Sequence, residues 1–184
     1  MYQNYFKRLF DIILSLVIFF IVLPLMSIIF FSIWITIGFP IFSQKRPGLN
    51  GKIFTLYKFK TLFDLSKNIS ENERQSRLGN FLRKTGLDEL PQLYNILKGD
   101  MSFVGPRPAI FNQDDLITLR TEKGVHDLVP GLTGWAQING RDELPIPQKV
   151  ALDKEYFQKQ SFCFDIKILW LTFLKVLHRD GVSH

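Results

Sequence analysis

The sequence predicts an α/β chain in which helices dominate, built as one membrane-associated domain with an N-terminal membrane-inserted helix. Three observations carry this expectation. No charged residue occurs between Asp11 and Lys45, and only Ile53 to Thr61 (IFTLYKFKT) has the composition of a strand. The last predicted helix, Asp165 to His178, is apolar around most of its circumference. At 184 residues the chain can bury one modest core, and no repeat, low-complexity tract or linker divides it. Residues 1–44 are therefore read as the membrane-inserted helix and residues 45–184 as the remainder of the same domain.

The N-terminal run from Ile12 to Phe42 is too long and too free of charge for a soluble core helix, and no small-residue cleavage site follows it. At 1.5 Å per residue it has length to spare for crossing a ~30 Å hydrocarbon layer once. Two features favour a re-entrant helix that enters and leaves by one face. Pro24 removes a backbone donor from the carbonyl of Phe20 and favours a kink. Lys7 and Arg8 flank one end and Lys45 and Arg46 the other, so both ends prefer the cytoplasmic side. A single kinked spanning helix is the competing topology.

Beyond the anchor, Lys58 and Lys60 share one face of the expected strand. Asp64 to Gln75 is polar, as in a surface loop or irregular helix, and Ser76 to Lys84 reads as a short helix. Asp88-Glu89-Leu90-Pro91 precedes a helix over Gln92 to Lys98, with Asp88 as its cap and Gly99 as its stop. Gly105-Pro106-Arg107-Pro108 is a stiff non-helical turn. Phe111 to Lys123 and Val150 to Lys159 read as helices, and Pro130 to Arg141 (PGLTGWAQINGR) as an ordered loop. In the last helix Lys167, Lys175, His178 and Arg179 leave only a narrow basic stripe, which suits either an amphipathic helix in the membrane interface or a core helix.

Several chemistries find no support in the residues. No glycine-rich phosphate loop appears, the three histidines are scattered, and a lone cysteine, Cys163, forms no intrachain disulfide. What remains is carboxylates beside basic residues, in a chain of net charge +6 that suits anionic membrane surfaces and phosphorylated substrates. Asp88 and Glu89 have a structural reading as helix cap and first-turn acid. Their chemical reading uses the same place in the chain: nearby cations keep Asp88 ionised as a nucleophile toward phosphorus, and Glu89 holds Mg²⁺. Arg107, fixed between prolines, suits bidentate phosphate binding or an ion pair. Lys58, Lys60, Arg83 and Arg141 are further phosphate or carboxylate partners.

Lys45-Arg46-Pro47-Gly48, Tyr57 to Thr61, Leu87 to Pro108 (LDELPQLYNILKGDMSFVGPRP) and Pro130 to Arg141 together resemble the bacterial sugar transferases, the monotopic phosphoglycosyl transferases of the PglC type. The resemblance runs from the N-terminus to about Val182, at the length of the minimal catalytic form. It implies a membrane-associated α/β fold with a re-entrant N-terminal helix, the catalytic part on the cytoplasmic face of a bacterial inner membrane. It further implies a ping-pong reaction in which Asp88 takes a phosphosugar from a UDP-sugar, releases UMP, and passes the phosphosugar to polyprenol (undecaprenyl) phosphate. That is the first membrane step of glycan assembly. Catalytic roles fall on Asp88 and Glu89, with Glu89 the Mg²⁺ ligand, and substrate contacts on Lys58, Arg83, Arg107 and Arg141. The membrane is a partner, nucleic acid is not, and downstream glycosyltransferases or a second copy of the chain are further candidates. The competing function is a non-catalytic scaffold or nucleotide-sugar-binding subunit of a glycan-assembly complex. One departure stands out: the family often has serine immediately before the helix-breaking proline, where this chain has Leu23, with Ser27 nearby.

Overall fold

A computed structural model describes residues 5–63, 70, 74–140 and 143–178. The elements run α1 (Lys7–Thr36), β1 (Ile41–Pro47), β2 (Ile53–Phe59), α2 (Arg77–Thr85), α3 (Gln92–Lys98), β3 (Ser102–Val104), α4 (Asp114–Glu122), β4 (Gly131–Thr133), α5 (Trp135–Ile138), α6 (Ile146–Lys159) and α7 (Phe162–His178). Helices dominate, as the sequence predicts. The β structure is two small sheets, an antiparallel β1–β2 hairpin and a parallel β3–β4 pair.

The uncharged N-terminal run divides into two elements. Helix α1 continues through Pro24 and stops at Thr36, while Ile41 and Phe42 already belong to β1. The helix expected over residues 1–44 ends at Thr36 because Gly38, at φ +106°, turns the chain, and Ile41 pairs with Phe59 across the hairpin. Ser27 Oγ donates to the Leu23 carbonyl at 2.9 Å, the local back-bond of a helical serine, and does not replace the donor that Pro24 withholds from Phe20.

One face of α1 is buried along its whole length. Lys7, Asp11, Ser15, Ile29 and Ile33 are buried, and Ile18, Val22 and Met26 between them are half-buried. These positions follow one another at intervals of three or four residues, which is one helical stripe. Leu14, Ile18, Phe19 and Val22 pack on a core that includes Phe54, Ile96, Phe103 and Ile168, and Met26 and Phe30 on a second cluster of Ile29, Ile33, Phe59 and Leu82. The opposite face is exposed and apolar, with Phe20 at 68%, Ile21 at 71% and Ile35 at 86% exposure. The helix is long and apolar enough to cross a membrane.

The charges at the start of α1 are tertiary contacts. Lys7 Nζ pairs with Asp165 Oδ2 of α7 at 2.5 Å, and Asp165 Oδ1 accepts the Tyr156 hydroxyl at 2.7 Å. Arg8 donates to the carbonyls of Ile96 and Leu97, closing the C-terminal end of α3. Asp11 Oδ1 accepts from the backbone N–H of Phe103 in β3.

The segment from Pro130 onward is more regular than the loop its glycines suggested. Gly131 pairs in parallel with Ser102, and Thr133 with Val104, before Trp135 opens α5. A Cβ on Gly131 would lie 2.1 Å from the Gly105 nitrogen, and one on Gly134 2.1 Å from the Gly105 oxygen. Those glycines allow two backbones to touch, so here they mark close packing. Helix α7 buries Asp165 and Ile168 but exposes Ile166, Trp170, Phe173 and Val176, so it is a surface helix with an apolar outer edge.

Candidate active site

Ser76 caps α2 by accepting from the Gly79 N–H at 2.8 Å, and Gly86, at φ +70°, ends that helix and swings the chain aside. The next three residues, Leu87–Glu89, form a single 3₁₀ turn. Leu87 and Leu90 pack against the Phe59, Leu82, Ile29 and Ile33 cluster, which pins both flanks of the carboxylate pair to the core beneath α1. Leu82 is fully buried, contributing about 1.5–3 kcal/mol to that anchorage.

Asp88 does not cap α3. The cap position belongs to Pro91 and carries no side-chain hydrogen bond, while Asp88 lies a turn earlier and is itself buried. Gly99 ends the helix as expected.

Two basic side chains reach over the pair. Lys58 of β2 places Nζ 2.6 Å from Glu89 Oε1 and 4.0 Å from Asp88 Oδ2. Arg107, from the Pro-Arg-Pro turn after β3, places Nη2 3.5 Å from the same Glu89 oxygen. Arg83 of α2 donates from Nε to Thr61 Oγ1 at 2.9 Å and acts on Asp88 through its charge. β2 ends at Phe59, so Lys60 lies beyond the strand. Arg141 and most of Asp64 to Gln75 fall outside the described residues.

The cations do not hold Asp88 in the usual aspartate range. Burial, and then the neighbouring Glu89 charge, push its carboxyl above 3.8, and Lys58 and Arg83 only partly offset them. The cations beside Asp88 hold it less firmly than their number in the sequence suggests, for a geometric reason. The Lys58 ammonium is committed to Glu89, and Asp88 stands at the edge of its reach.

Among the described residues no group of three acidic, histidine or cysteine side chains could cage a metal ion by itself. Asp88 and Glu89 are the adjacent carboxylates that could offer oxygens to a divalent cation, and Glu89 Oε1 already accepts from Lys58 at 2.6 Å, so such an ion would need phosphate oxygens and water to complete its shell.

Arg46 of the Lys45-Arg46-Pro47-Gly48 motif, a flanking charge by its place in the sequence, belongs to the site. In the structure it is half-buried, donating to Gln44 Oε1 at 2.7 Å and to the Pro108 carbonyl at 3.4 Å. Burial, then the Arg107 guanidinium, weigh against its charge. Arg120, which no local pattern singles out, is buried on α4, pairs with Asp153 at 2.7 Å and donates to the Arg107 carbonyl at 2.8 Å.

Comparison with known proteins places this arrangement. The bacterial sugar transferase family model matches residues 2–179. The chain belongs to that family. It is 45% identical to EpsL of Bacillus subtilis, described as an uncharacterized sugar transferase, over 96% of this chain and 90% of that protein. It is 35% identical to the undecaprenyl-phosphate galactose phosphotransferase of Salmonella typhimurium, over 97% of this chain and 42% of that one. With the UDP-glucose:undecaprenyl-phosphate glucose-1-phosphate transferase of Escherichia coli it shares 38% identity, over 92% and 39% of the two chains. The chain thus spans about two-fifths of the length of these two larger relatives.

Proposed function

We propose that this chain moves a sugar-1-phosphate from a UDP-sugar to polyprenol phosphate, with Asp88 as the nucleophile. One observation carries the reading: a buried aspartate beside a second carboxylate, under Lys58 and Arg107, in a chain with a long exposed apolar helix face. An Asp88 oxygen attacks the sugar-bearing phosphorus, and the bond to the bridging oxygen breaks, so UMP leaves. A phosphate oxygen of the lipid then attacks the same phosphorus, the bond to Asp88 breaks, and the carboxylate is restored. Lys58 and Arg107 bind and orient the diphosphate. Glu89 is the residue that would hold Mg²⁺, which supplies neutralisation of diphosphate charge when bound.

Burial favours this division of labour. A desolvated carboxylate is a stronger nucleophile than a hydrated one, provided that it is ionised; burial is the larger cause that raises Asp88, and a cation beside Glu89 would offset the smaller one, the Glu89 charge. The names of the larger relatives support the substrates, undecaprenyl phosphate and a UDP-sugar.

The placement of α1 supports a helix whose two ends stay on one side of the membrane, with the catalytic body at the cytoplasmic face of the inner membrane. A perpendicular spanning helix would have to leave the body. Here contacts run from Lys7 to Ile33, ~40 Å of helix at 1.5 Å per residue. The exposed edge of α7 supports an interfacial role for that helix beside α1. Two measurements test the proposal. The purified chain with Mg²⁺, polyprenol phosphate and a panel of UDP-sugars should release UMP with at least one of them; release with none rejects it. A Tyr5→Cys label in a Cys163→Ser background should react only from the cytoplasmic side, and external reaction rejects the topology.

A further inference from the structure

Helix α2 carries a stripe of side chains that the transfer reaction does not use. Arg77, Phe81 and Lys84 are exposed, at intervals of four and three residues, so they share one face of the helix. The opposite side is seated tightly. Gly79 and Leu82 are buried there, and a Cβ on Gly79 would lie 2.0 Å from the Thr61 carbonyl oxygen. The Ser76 cap, together with the packing of Leu78 and Leu82 on Ile29 and Ile33 of α1, fixes the rotation of the helix. The stripe is therefore held facing outward.

What it presents is basic and aromatic. The helix, RLGNFLRKT, contains no carboxylate, and neither Arg77 nor Lys84 has an ion-pair partner among the described residues. Phe81 stands between them, 57% exposed. Arg83 differs. It lies ~100° round the helix from Lys84 and turns to Thr61, on the carboxylate side. The stripe thus belongs to a surface apart from the reaction centre.

Position selects the occupant. The half of α1 on which α2 packs exposes Ile28, Phe31 and Trp34 on its outer side, so α2 lies beside the apolar surface that enters the membrane. An aromatic ring flanked by two cations ~10 Å apart along the axis suits a bilayer surface, with the ring at the acyl boundary and the cations among the phosphates. A zwitterionic headgroup answers its own phosphate, whereas an anionic one leaves its charge for the protein.

We propose that the Arg77–Phe81–Lys84 stripe of α2 binds the headgroups of anionic phospholipids. The inference rests on α1 lying in the membrane, as proposed above.

The test attaches an environment-sensitive fluorophore to Phe81→Cys in a Cys163→Ser background, in the full-length chain reconstituted in lipid nanodiscs. Phosphatidylglycerol and phosphatidylcholine, each carrying the same quencher, are compared at equal bulk fraction. The phosphatidylglycerol should quench about two- to fivefold more strongly at low salt, the enrichment expected of cations at a charged surface, and the preference should fade as salt is added. Arg77→Gln combined with Lys84→Gln should equalise the two lipids and leave quenching by phosphatidylcholine unchanged. Both side chains are exposed, so the core is spared. Equal quenching by the two lipids in the parent chain overturns the inference. Quenching by neither also overturns it, since the stripe would then face water or another protein. A second measurement keeps the Phe81 ring. The unlabelled chain should melt higher in nanodiscs containing phosphatidylglycerol than in phosphatidylcholine alone, and the double variant should lose that shift. The same shift in the double variant overturns the assignment to these residues. A Tyr5→Cys label that reacts from outside, with the lipid preference at residue 81 intact, sinks the topology and keeps the site. Equal quenching with that label reacting only from the cytoplasmic side does the reverse.

Discussion

The polar cluster at the start of α1 and the one around Asp88 use the same residue types under similar burial, yet they are finished differently. Around α1, Lys7 meets Asp165, Asp165 also takes the Tyr156 hydroxyl, Arg8 closes two α3 carbonyls and Asp11 takes a backbone N–H. Every charge there has its partner inside the chain. Around Asp88 the accounts stay open. Lys58 serves Glu89 and leaves Asp88 at 4.0 Å; burial pushes up the carboxyls of Asp11 and Asp88 alike, but at Asp88 the adjacent Glu89 charge adds to it, whereas at Asp11 the next contribution is the opposing Lys7 charge. A closed cluster fixes one element against another, whereas an open one keeps free energy available for a ligand.

The largest expected effect lies on the open side. Asp88→Asn should lower transfer by about four to six orders of magnitude, the scale on which enzymes lose a nucleophile. The same change should raise Tm at pH 7 by about 2–4 °C, roughly 1 kcal/mol in a domain of this size, because it removes a buried charge that Glu89 repels. The folded pKa is raised, so the folded state favours the protonated carboxyl and the aspartate lowers stability above that pKa. The Tm difference should therefore be full at neutral pH and vanish below 3.8, where Asp88 is neutral in both states. Melting curves across that range check it.

On the closed side the signs reverse. Lys7→Met should leave the buried Asp165 carboxylate without its ammonium counter-ion and cost about 3–5 kcal/mol, read as lost folded yield in detergent. Adding Asp165→Leu should restore most of that loss, since an apolar pair replaces a buried ion pair at little net cost. A double variant as unstable as the single one would show that the pair fixes α1 in a way that packing cannot replace.

Smaller effects sharpen the contrast. Arg107→Lys keeps the charge but loses the planar fork, and should reduce kcat/KM by roughly tenfold to a hundredfold, the range of about 1.5–3 kcal/mol for a hydrogen bond to a charged group. The pH profile of kcat/KM should rise through an acidic limb, since Asp88 attacks only when ionised. A rate that stays flat to the lowest pH at which the chain is folded would mean that no carboxylate has to ionise.

Much of this was legible in the residues. The long apolar N-terminal helix, the β2 strand, the helices around Gly86 and Gly99 and the stiff Pro-Arg-Pro turn follow from charge, periodicity and backbone chemistry. Three things were not. Strand β1 was hidden because its apolar start continues the uncharged run and its pairing with β2 is nonlocal. The β3–β4 pair was hidden because glycines chosen for close backbone approach look, in sequence, like loop residues. Lys7 and Arg8 looked like membrane-flanking charges because nothing local reveals partners 158 and 88 residues away. At the site, Lys58, Arg83, Asp88, Glu89 and Arg107 do converge, but the state of Asp88 depends on which cation commits to which carboxylate. That is a matter of distances, and spacing alone does not encode it.

The open cluster earns its interpretation only if Asp88 becomes covalently loaded. Intact-mass and peptide mass spectrometry on the chain incubated with Mg²⁺ and a turnover-competent UDP-sugar, without polyprenol phosphate, measures this directly. The account predicts one phosphosugar added at Asp88, one UMP released per loaded chain, and loss of the adduct when polyprenol phosphate is supplied. UMP release that requires the lipid, with no adduct on Asp88 in a trapped single turnover, would contradict it.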